Sequence, residues 1–318
     1  MRMIDAQQVH DLLDYPGLIE AMRAAHLGPL PKLSDRIIYH EENSEGPPDS
    51  FIILPAWEPQ EGLLCKLVTS FPGNRRKYDI ANVNSIYAWV DGRTGITEAV
   101  LDGEAMIFRK TSADSALGAD ILARADASTL LMVGAGGLAP YLVRAHLSVR
   151  PSIDTILVWN HRAENAGRLV ELLAREDIAA SVAADLDEAV SRADIVSCAT
   201  RATEPLIRGE CLQAGAHVDL VGSFTPEMRE ANDAVLTRCT IFVDHRQTTE
   251  RSGEFLGPFE RGVITADDVS ADLFELCQGK HPGRQSTEQL TMMKNGGGSY
   301  FDYFVARYLM QLLQTRSA

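Results

Sequence analysis

The segment 129–162 constrains the fold of this chain more than any other, because it has the pattern of a strand, a glycine turn, a helix and a second strand. An apolar run, TLLMV at 129–133, leads directly into the turn GAGGLA at 134–139. Apolar residues then recur at helical spacing, and TILVW at 155–159 supplies the second strand. This order of elements predicts an α/β domain with a doubly wound parallel sheet.

Each small residue of the turn has a physical task in dinucleotide binding. Gly134 permits a tight turn, Gly136 lets backbone N–H groups approach a pyrophosphate, and Ala139 lets the helix pack closely on the sheet. The flanking strand and helix supply the context that a G-x-G-x-x-A motif requires. The predicted cofactor contacts in this turn are Gly134, Gly136, Gly137, Leu138 and Ala139. The alternative is an ordinary glycine turn without a cofactor.

The end of the second strand indicates which dinucleotide is bound. An NAD site usually has Asp or Glu there, whose carboxylate accepts hydrogen bonds from the ribose 2′-hydroxyl. Here Asn160, His161 and Arg162 follow the strand, and the nearby acid, Asp154, precedes it. A neutral amide beside basic side chains suits a 2′-phosphate, which favours NADPH over NADH. Arg162 can equally be a solvated residue in the first turn of the next helix.

Composition narrows the class of protein. The length of 318 residues suits two domains, and the net charge of −14 argues against nucleic-acid or anionic-membrane binding. The 5 cysteines are odd in number, without a C-x-x-C pair, so we expect reduced thiols in the cytoplasm and neither disulfides nor a metal site. We find no signal-peptide pattern and no apolar run long enough to span a membrane.

From about 116 to 283 the chain alternates between helix and strand patterns. Apolar strands are predicted at 193–200, 217–222 and 240–244. Apolar strands separated by helices indicate a parallel sheet covered on both faces, which is a Rossmann domain. Residues at the ends of two of these strands are predicted to complete the cofactor site: Ala199, Thr200, Val221, Gly222 and Ser223.

Residues 1–115 have a different pattern, typical of a β-rich α+β domain. A helix is predicted after Asp14, with Pro16 in its first turn, and strand-like runs follow, including a hairpin within 85–101. The segment 293–318 contains an amphipathic helix, whose apolar face predicts core packing or a dimer contact.

Three cationic stretches of this first domain lie beside apolar runs that resemble strands. They contain Arg36, Lys66 and the pair Arg109 and Lys110. Lys66 is the most informative, because apolar residues flank it and a buried ammonium is costly unless an anion pairs with it. One hypothesis is a pocket for a substrate carboxylate. The other is an internal salt bridge to one of the chain's own carboxylates.

Motifs along nearly the whole chain resemble the ornithine cyclodeaminase/mu-crystallin family. They are KLVTSFPGN (66–74), DGRTGITEAVLDGEA (91–105), KTSADSALGADILAR (110–124), VGAGGLAPYLVRAHL (133–147), VWNHRAENA (158–166), VGSFTPEMREAND (221–233) and MKNGGGSYFD (293–302). The resemblance implies a substrate-binding and dimerisation domain at 1–115, completed by 293–318, a Rossmann domain at 116–292, and a homodimer.

The resemblance also implies site residues. Arg36, Lys66 and Lys110 would hold the substrate carboxylate, with Lys110 where most relatives have Arg. Lys cannot form the bidentate fork of Arg, and neighbouring Arg109 would point to the opposite face of a strand. Asn84 lies near a polar position on the substrate side.

Two further stretches bear on cofactor and activity. Lys294, Gly296 and Gly297 match a late loop that closes over the cofactor, although these glycines also suit a simple turn. Ornithine cyclodeaminases are expected to carry Asp where this chain has Phe224. A phenyl ring cannot orient an ammonium group, but it can pack against an apolar or cyclic substrate, so Phe224 disfavours cyclodeamination.

The function that these features imply is NAD(P)H-dependent reduction of a cyclic imino acid, Δ1-pyrroline-2-carboxylate or Δ1-piperideine-2-carboxylate, to proline or pipecolate. Lys66 is the candidate catalytic acid for the imine nitrogen, with solvent as the alternative. The rival activities are ornithine cyclodeamination, NADPH-dependent binding of a small ligand without turnover, and reductive amination of an open-chain 2-oxo acid.

Overall fold

The computed structural model describes residues 1–34, 36–43 and 46–316, and it divides into two units. The first unit comprises Met1–Lys110 and Gly298–Ala318, and the second comprises Thr111–Gly297. The division falls at residue 110 rather than at 115, within a helix, where the sequence gives no break in pattern.

The first unit is built on a mixed sheet. Its elements are β1 (Arg2–Ile4), α1 (Ala6–Leu12), α2 (Tyr15–Ala25), β2 (Lys32–Leu33), β3 (Ile37–Glu41), β4 (Asp49–Glu58), β5 (Gly62–Ser70), α3 (Asn74–Tyr78), β6 (Val83–Asp91), β7 (Thr97–Asp102) and the start of α4 (Gly103–Leu122). The strand order is β1-β7-β6-β5-β4-β2, and β3 also pairs with β4. Neighbouring strands are antiparallel except for β1 and β7.

Local sequence explains the turns of this unit. The Asp14 carboxylate caps α2 by accepting the Gly17 N–H at 2.9 Å, and Pro16 lies in the first turn, as predicted. The predicted hairpin is β6–β7. There the Asp91 carboxylate accepts the N–H and the hydroxyl of Thr94, each at 2.7 Å, and Gly95 has a φ of +72°.

The second unit contains a sheet of parallel strands. Its elements are β8 (Thr129–Val133), α5 (Ala139–Val149), β9 (Thr155–Trp159), α6 (Ala163–Ala174), β10 (Ser181–Val182), α7 (Leu186–Arg192), β11 (Ile195–Cys198), β12 (His217–Leu220), α8 (Asp233–Arg238), β13 (Thr240–Val243), α9 (Gly253–Glu260), β14 (Val269–Asp272), α10 (Leu273–Cys277) and β15 (Thr291–Lys294). The strand order is β10-β9-β8-β11-β12-β15-β13-β14.

Both faces of this sheet are buried, which explains why its strands are apolar throughout. On β8, Leu131 and Val133 belong to one hydrophobic core, whereas Leu130 and Met132 belong to another on the opposite face. The sequence pattern did not reveal β15, which lies between β12 and β13, because its four residues end in a lysine.

The chain ends in α11 (Ser299–Thr315), which belongs to the first unit and packs on α2, β4 and β5. Its buried face includes Phe301, Phe304, Val305 and Leu309, so the prediction of core packing is confirmed. No helix within residues 1–34, 36–43 and 46–316 is both long and apolar enough to cross a membrane.

Candidate active site

Two lysines of the first unit share one buried carboxylate. Lys66 of β5 and Lys110 of α4 place their Nζ atoms 3.4 and 3.8 Å from opposite oxygens of Asp302 on α11. The Tyr87 hydroxyl on β6 donates to Asp302 Oδ1 at 2.8 Å. The side chains of Lys66, Lys110 and Asp302 are only 13%, 7% and 4% exposed. We call these four residues the lysine cluster.

Sheet register and helix packing bring the cluster together. Lys66 is paired with Leu54 on one side and with Tyr87 on the other, so the three side chains share one face of the sheet. Asp302 lies on the buried face of α11. Sequence reasoning missed Asp302 and Tyr87, although an acid within the apolar face of an amphipathic helix was a signal for a buried ion pair.

The lysine cluster contains more positive than negative charge. Burial lowers the pKa of Lys66, and the neighbouring Lys110 ammonium lowers it further, while Asp302 opposes both. Burial on its own would raise the pKa of Asp302, but Lys66 and Lys110 outweigh it and hold that pKa below its usual value. Two ammonium groups against one carboxylate therefore leave an uncompensated positive charge in a nearly dry site.

Arg36 immediately precedes β3, in which Ile37 pairs with Ile53, and lies outside the paired strand. The register of the sheet therefore does not set Arg36 beside Lys66. Arg36 is exposed, and none of the residues that the structure describes forms an ion pair with it. The structure thus gives Lys66 an internal salt bridge with Asp302 and leaves Arg36 exposed.

Asn84 is not brought to the cluster. It lies on β6 opposite Thr69, three residues before Tyr87, so its side chain is on the other face of the sheet. Asn84 is exposed, and its side-chain amide donates to the Ala81 carbonyl at 3.2 Å. The expectation of a substrate-side role for Asn84 is therefore not met within one chain.

The stretch around Arg109 and Lys110 is helical, so the prediction that it runs beside a strand is wrong. In α4 successive side chains diverge by about 100° rather than alternating between two faces. Arg109 consequently turns toward other partners: it donates to the His10 carbonyl at 3.1 Å and lies over the Tyr15 ring, 4.7 Å from its centroid.

In the second unit, the glycine turn has the geometry that its sequence predicts. Gly134 has a φ of +108°, and a Cβ there would lie 2.5 Å from the Ala199 carbonyl oxygen, so only glycine fits. A Cβ at Gly136 would meet nothing within 4 Å. Gly136 and Gly137 are exposed, whereas Ala139 is buried at the start of α5. An open turn followed by a helix N-terminus fits the pyrophosphate of a dinucleotide.

The strand end beside this turn carries no carboxylate. The Gly134 N–H donates to the Trp159 carbonyl at 2.8 Å, which sets the two strand ends side by side. Asn160 follows, and its side-chain oxygen accepts the Arg162 N–H at 2.9 Å, while the side chains of His161 and Arg162 are exposed. Asp154 precedes β9 and so lies at the opposite end of the strand.

Lys294 and the glycines after it form a tightly held loop. The Lys294 ammonium is fully buried and donates to the carbonyls of Leu220, Gly222 and Asn295 at 2.5–3.1 Å. The N–H groups of Gly296 and Gly297 both donate to a carboxylate oxygen of Asp244. Lys294 therefore fixes the loop from the buried side, and its ammonium hydrogens are bonded to backbone carbonyls of the protein.

The loop after β12 ends in an exposed phenyl ring. Ser223 is buried with a φ of +51°, an unusual conformation for a residue other than glycine, and Phe224 next to it is 59% exposed. The Ser223 carbonyl accepts the Ser252 hydroxyl at 2.7 Å, which fixes the loop from the side of the protein.

A sequence profile of the ornithine cyclodeaminase/mu-crystallin family matches residues 6–316. The chain belongs to this family. The resemblance inferred from the sequence motifs is therefore confirmed.

Named relatives match over nearly the full length of the chain. The Delta(1)-pyrroline-2-carboxylate reductase of Paracoccus denitrificans is 38% identical over 303 residues, covering 95% of this chain and 93% of that protein. Protein SAR DEFICIENT 4 of Arabidopsis thaliana is 35% identical over 322 residues, covering 98% of each.

A solved structure confirms the predicted fold class. The Thermococcus litoralis Delta(1)-pyrroline-2-carboxylate reductase in complex with NADH and L-proline is 25% identical, with a TM-score of 0.90 over 100% of this chain and 99% of that one. The fold of this chain is therefore that of an NADH-binding relative.

Proposed function

We propose that this chain is an NAD(P)H-dependent reductase that converts a cyclic imino acid, Δ1-pyrroline-2-carboxylate or Δ1-piperideine-2-carboxylate, to proline or pipecolate. The observation that carries the proposal is the lysine cluster, a buried site with more positive than negative charge, in a chain that also has an open dinucleotide turn. The relatives with this activity in their names support the same class of substrate.

The charge of the cluster matches a substrate carboxylate. Lys66 and Lys110 together outweigh Asp302. Arg36, exposed just before β3, is the third proposed cation. A single carboxylate would reduce this excess of charge and accept the ammonium hydrogens that Asp302 leaves unused. Asp302 acts as the positioning residue, since it touches both ammonium groups.

The imine nitrogen also needs a proton. Lys66 is the proposed donor, because burial lowers the pKa of its ammonium and so makes it a stronger acid than an exposed lysine. Tyr87 is a poorer donor, because burial and the adjacent Asp302 raise the pKa of its phenol. The reduced dinucleotide, when bound, supplies the hydride.

The stretch from Leu220 to Pro226 argues against the lyase. It contains no Asp or Glu, and Phe224 stands at the position where an acid is expected in the cyclodeaminases. An exposed phenyl ring suits packing against the methylene groups of a ring better than contact with a free side-chain ammonium.

Purified protein mixed with Δ1-pyrroline-2-carboxylate should oxidise NADPH or NADH, followed as the loss of absorbance of the reduced cofactor. Ammonia release from L-ornithine with catalytic NAD⁺ and no net absorbance change would instead assign the lyase. Tight NADPH binding without turnover of any imino or 2-oxo acid would assign a binding protein, and oxidation that requires ammonia and an open-chain 2-oxo acid would assign a dehydrogenase.

We further propose NADPH as the preferred dinucleotide and NADH as the weaker one. The support is the end of β9, where Asn160, His161 and Arg162 present an amide and two basic side chains without a carboxylate. Such a strand end favours the 2′-phosphate of NADPH. It offers no carboxylate to accept a hydrogen bond from the ribose 2′-hydroxyl of NADH.

We also propose that the chain works as a homodimer through the outer face of the first unit's sheet. Register places Ile37, Ile53, Leu67 and Ile86 in one row across β3, β4, β5 and β6 on this face. Several large apolar side chains near this row are exposed, which is unusual for a monomer: Ile37, Tyr39, Phe51, Trp57 and Ile86.

Replacement of Ile86 by Glu should therefore convert a dimer into monomers at micromolar concentration. An unpaired charge in an interface costs about 3–5 kcal/mol, so we expect the dimer dissociation constant to rise by roughly two to four orders of magnitude. Sedimentation velocity measures the change. Leu172→Glu, at an exposed apolar residue of α6, is the matched control and should leave the mass unchanged. An Ile86→Glu protein that stays dimeric would place the interface elsewhere.

A further inference from the structure

A fully buried carboxylate joins two of the loops at the carboxyl edge of the Rossmann sheet. Glu230 Oε1 accepts the N–H of Thr200 at 2.7 Å and its hydroxyl at 2.8 Å. Glu230 Oε2 accepts the N–H of Gly222 at 2.7 Å. Thr200 follows β11 and Gly222 follows β12, so one side chain fixes the backbone after both strands.

Lys294 holds the same peptide segment from its other side. Its ammonium donates to the Gly222 carbonyl, while the Gly222 N–H donates to Glu230. A Cβ at Gly222 would lie 2.3 Å from the Thr200 carbonyl oxygen and 2.4 Å from Glu230 Oε1, so only glycine allows this approach. We call Glu230, Lys294, Thr200 and Gly222 the clasp.

The clasp is connected to the glycine turn through Ala199. The Ala199 N–H donates to the Val133 carbonyl at 2.9 Å, and its own carbonyl oxygen lies 2.5 Å from the position that a Gly134 Cβ would take. Thr200 is the next residue. A shift of the Thr200 backbone would therefore also move the Ala199 carbonyl, which packs against Gly134 in the glycine turn.

We propose that Glu230 is a positioning residue for dinucleotide binding, which holds the loops after β11 and β12 in the arrangement that the cofactor requires. This inference rests on the proposed function only in that the chain binds NADPH or NADH. Glu230 is fully buried and accepts hydrogen bonds from Thr200 and Gly222, so its effect on the cofactor passes through these two residues.

The ionised form of Glu230 is the one that fits its partners. Four donors face its two oxygens: the N–H and hydroxyl of Thr200, the N–H of Gly222 and the Cys198 thiol. A carboxylate has about four acceptor positions, so a proton on either oxygen would compete with one of these donors. The charged or titratable groups that face Glu230 are Lys294 of β15, Cys198 of β11 and Glu254 of α9, with Arg229 next to Glu254. Burial raises the pKa of Glu230 to about 7, against the opposing effect of Lys294.

Dinucleotide affinity should therefore depend on pH in a defined direction. Because the competent state is ionised and the pKa of Glu230 is about 7, affinity should fall as the pH drops below neutral. Binding near pH 7 should also release a fraction of a proton, because the cofactor selects the ionised form. Glu230→Gln should remove the part of both effects that comes from Glu230, since glutamine does not titrate. NADH isolates that part, because it lacks the 2′-phosphate of NADPH, whose second pKa is about 6.

The test is calorimetric titration of the full chain with NADPH and with NADH, at pH 6 and pH 8. Glu230→Gln presents an amide donor to one of the two loops, and we expect at least a tenfold weaker affinity at pH 8. The matched control is Asp194→Asn. Asp194 is also a buried carboxylate that accepts backbone N–H groups, those of Ser128 and Thr129, but it lies before β11, at the other end of the sheet.

Asp194→Asn should lower the unfolding temperature and leave the dinucleotide affinity unchanged. Equal affinity of Glu230→Gln and wild type, or an equal loss in both variants, would overturn the proposal, as would a wild-type affinity that does not change between pH 6 and pH 8. If Glu230→Gln does not fold, Glu230→Asp keeps the charge but is too short to reach both loops and should weaken binding similarly. A wild-type protein that binds neither dinucleotide would refute the proposed function instead.

Discussion

Replacement of Lys66 by Met should lower kcat/KM for Δ1-pyrroline-2-carboxylate by roughly 30- to 4,000-fold and leave dinucleotide affinity unchanged. Truncating one partner of a buried, hydrogen-bonded charge pair costs about 2–5 kcal/mol, and each ~1.4 kcal/mol is a tenfold change. Methionine has nearly the length and apolar surface of the lysine stem, so the substitution removes the charge with little change in packing. Near-normal turnover with an unchanged KM would refute the carboxylate clamp.

A double variant separates loss of the clamp from damage to the cluster. Lys66→Met leaves Asp302 with the more distant Lys110 ammonium, 3.8 Å away, and the Tyr87 hydroxyl. If activity falls because Asp302 is left with too little positive charge, Lys66→Met combined with Asp302→Asn should recover much of it. If Lys66 binds substrate, the double variant should be no better than the single one. Lys32→Met, at an exposed lysine of the same sheet, should match wild type.

The glycine turn and the hairpin could be predicted because their causes are local. Gly134 needs its φ of +108° within a strand–turn–helix motif, and Asp91 caps a turn of its own neighbours. Periodicity also identified α11. In each case the determining residues lie within a few positions of one another, so the pattern in the sequence is the cause of the structure.

The composition of the lysine cluster could not be predicted in the same way. Lys66 and Asp302 are 236 residues apart, so nothing near either residue reveals the partner. Sheet register, which depends on the whole hairpin, decides that Tyr87 lies beside Lys66 and that Asn84 does not. Lys110 lies on a helix rather than on a strand. The sequence did not predict this, because the polar and apolar residues around Lys110 fit either a helical or a strand period.

The clasp shows a related limit. The motif containing Lys294 pointed to the cofactor loop, but the motif alone does not say whether the lysine faces outward or inward. Burial of the ammonium against three carbonyls is set by β15, a strand too short for its pattern to be recognised. The burial of Glu230 could not be predicted either, because the chain has many acids and nothing local distinguishes this one. Glu230 is buried by α9 and the ends of the strands, which are distant in sequence.

If the proposed preference for NADPH holds, replacement of Asn160 by Asp should reverse it in favour of NADH. The change keeps the size of the side chain and its bond from the Arg162 N–H, now at 2.9 Å, because an aspartate oxygen accepts equally well. It adds a negative charge at the strand end, and like charges brought together cost several kcal/mol. We expect the ratio of kcat/KM for NADPH over NADH to fall by roughly two orders of magnitude.

The two cofactors make this experiment internally controlled, because damage to the fold would lower both rates while a change in recognition lowers only one. Asp154→Asn alters a charge at the opposite end of β9 and should leave the ratio unchanged. The loss with NADPH should shrink at high ionic strength if the added charge is exposed to solvent, since salt screens such repulsion. A wild-type enzyme that prefers NADH, or an Asn160→Asp enzyme with the wild-type ratio, would show that Asn160 does not read the 2′ position and that the absence of a carboxylate there has another cause.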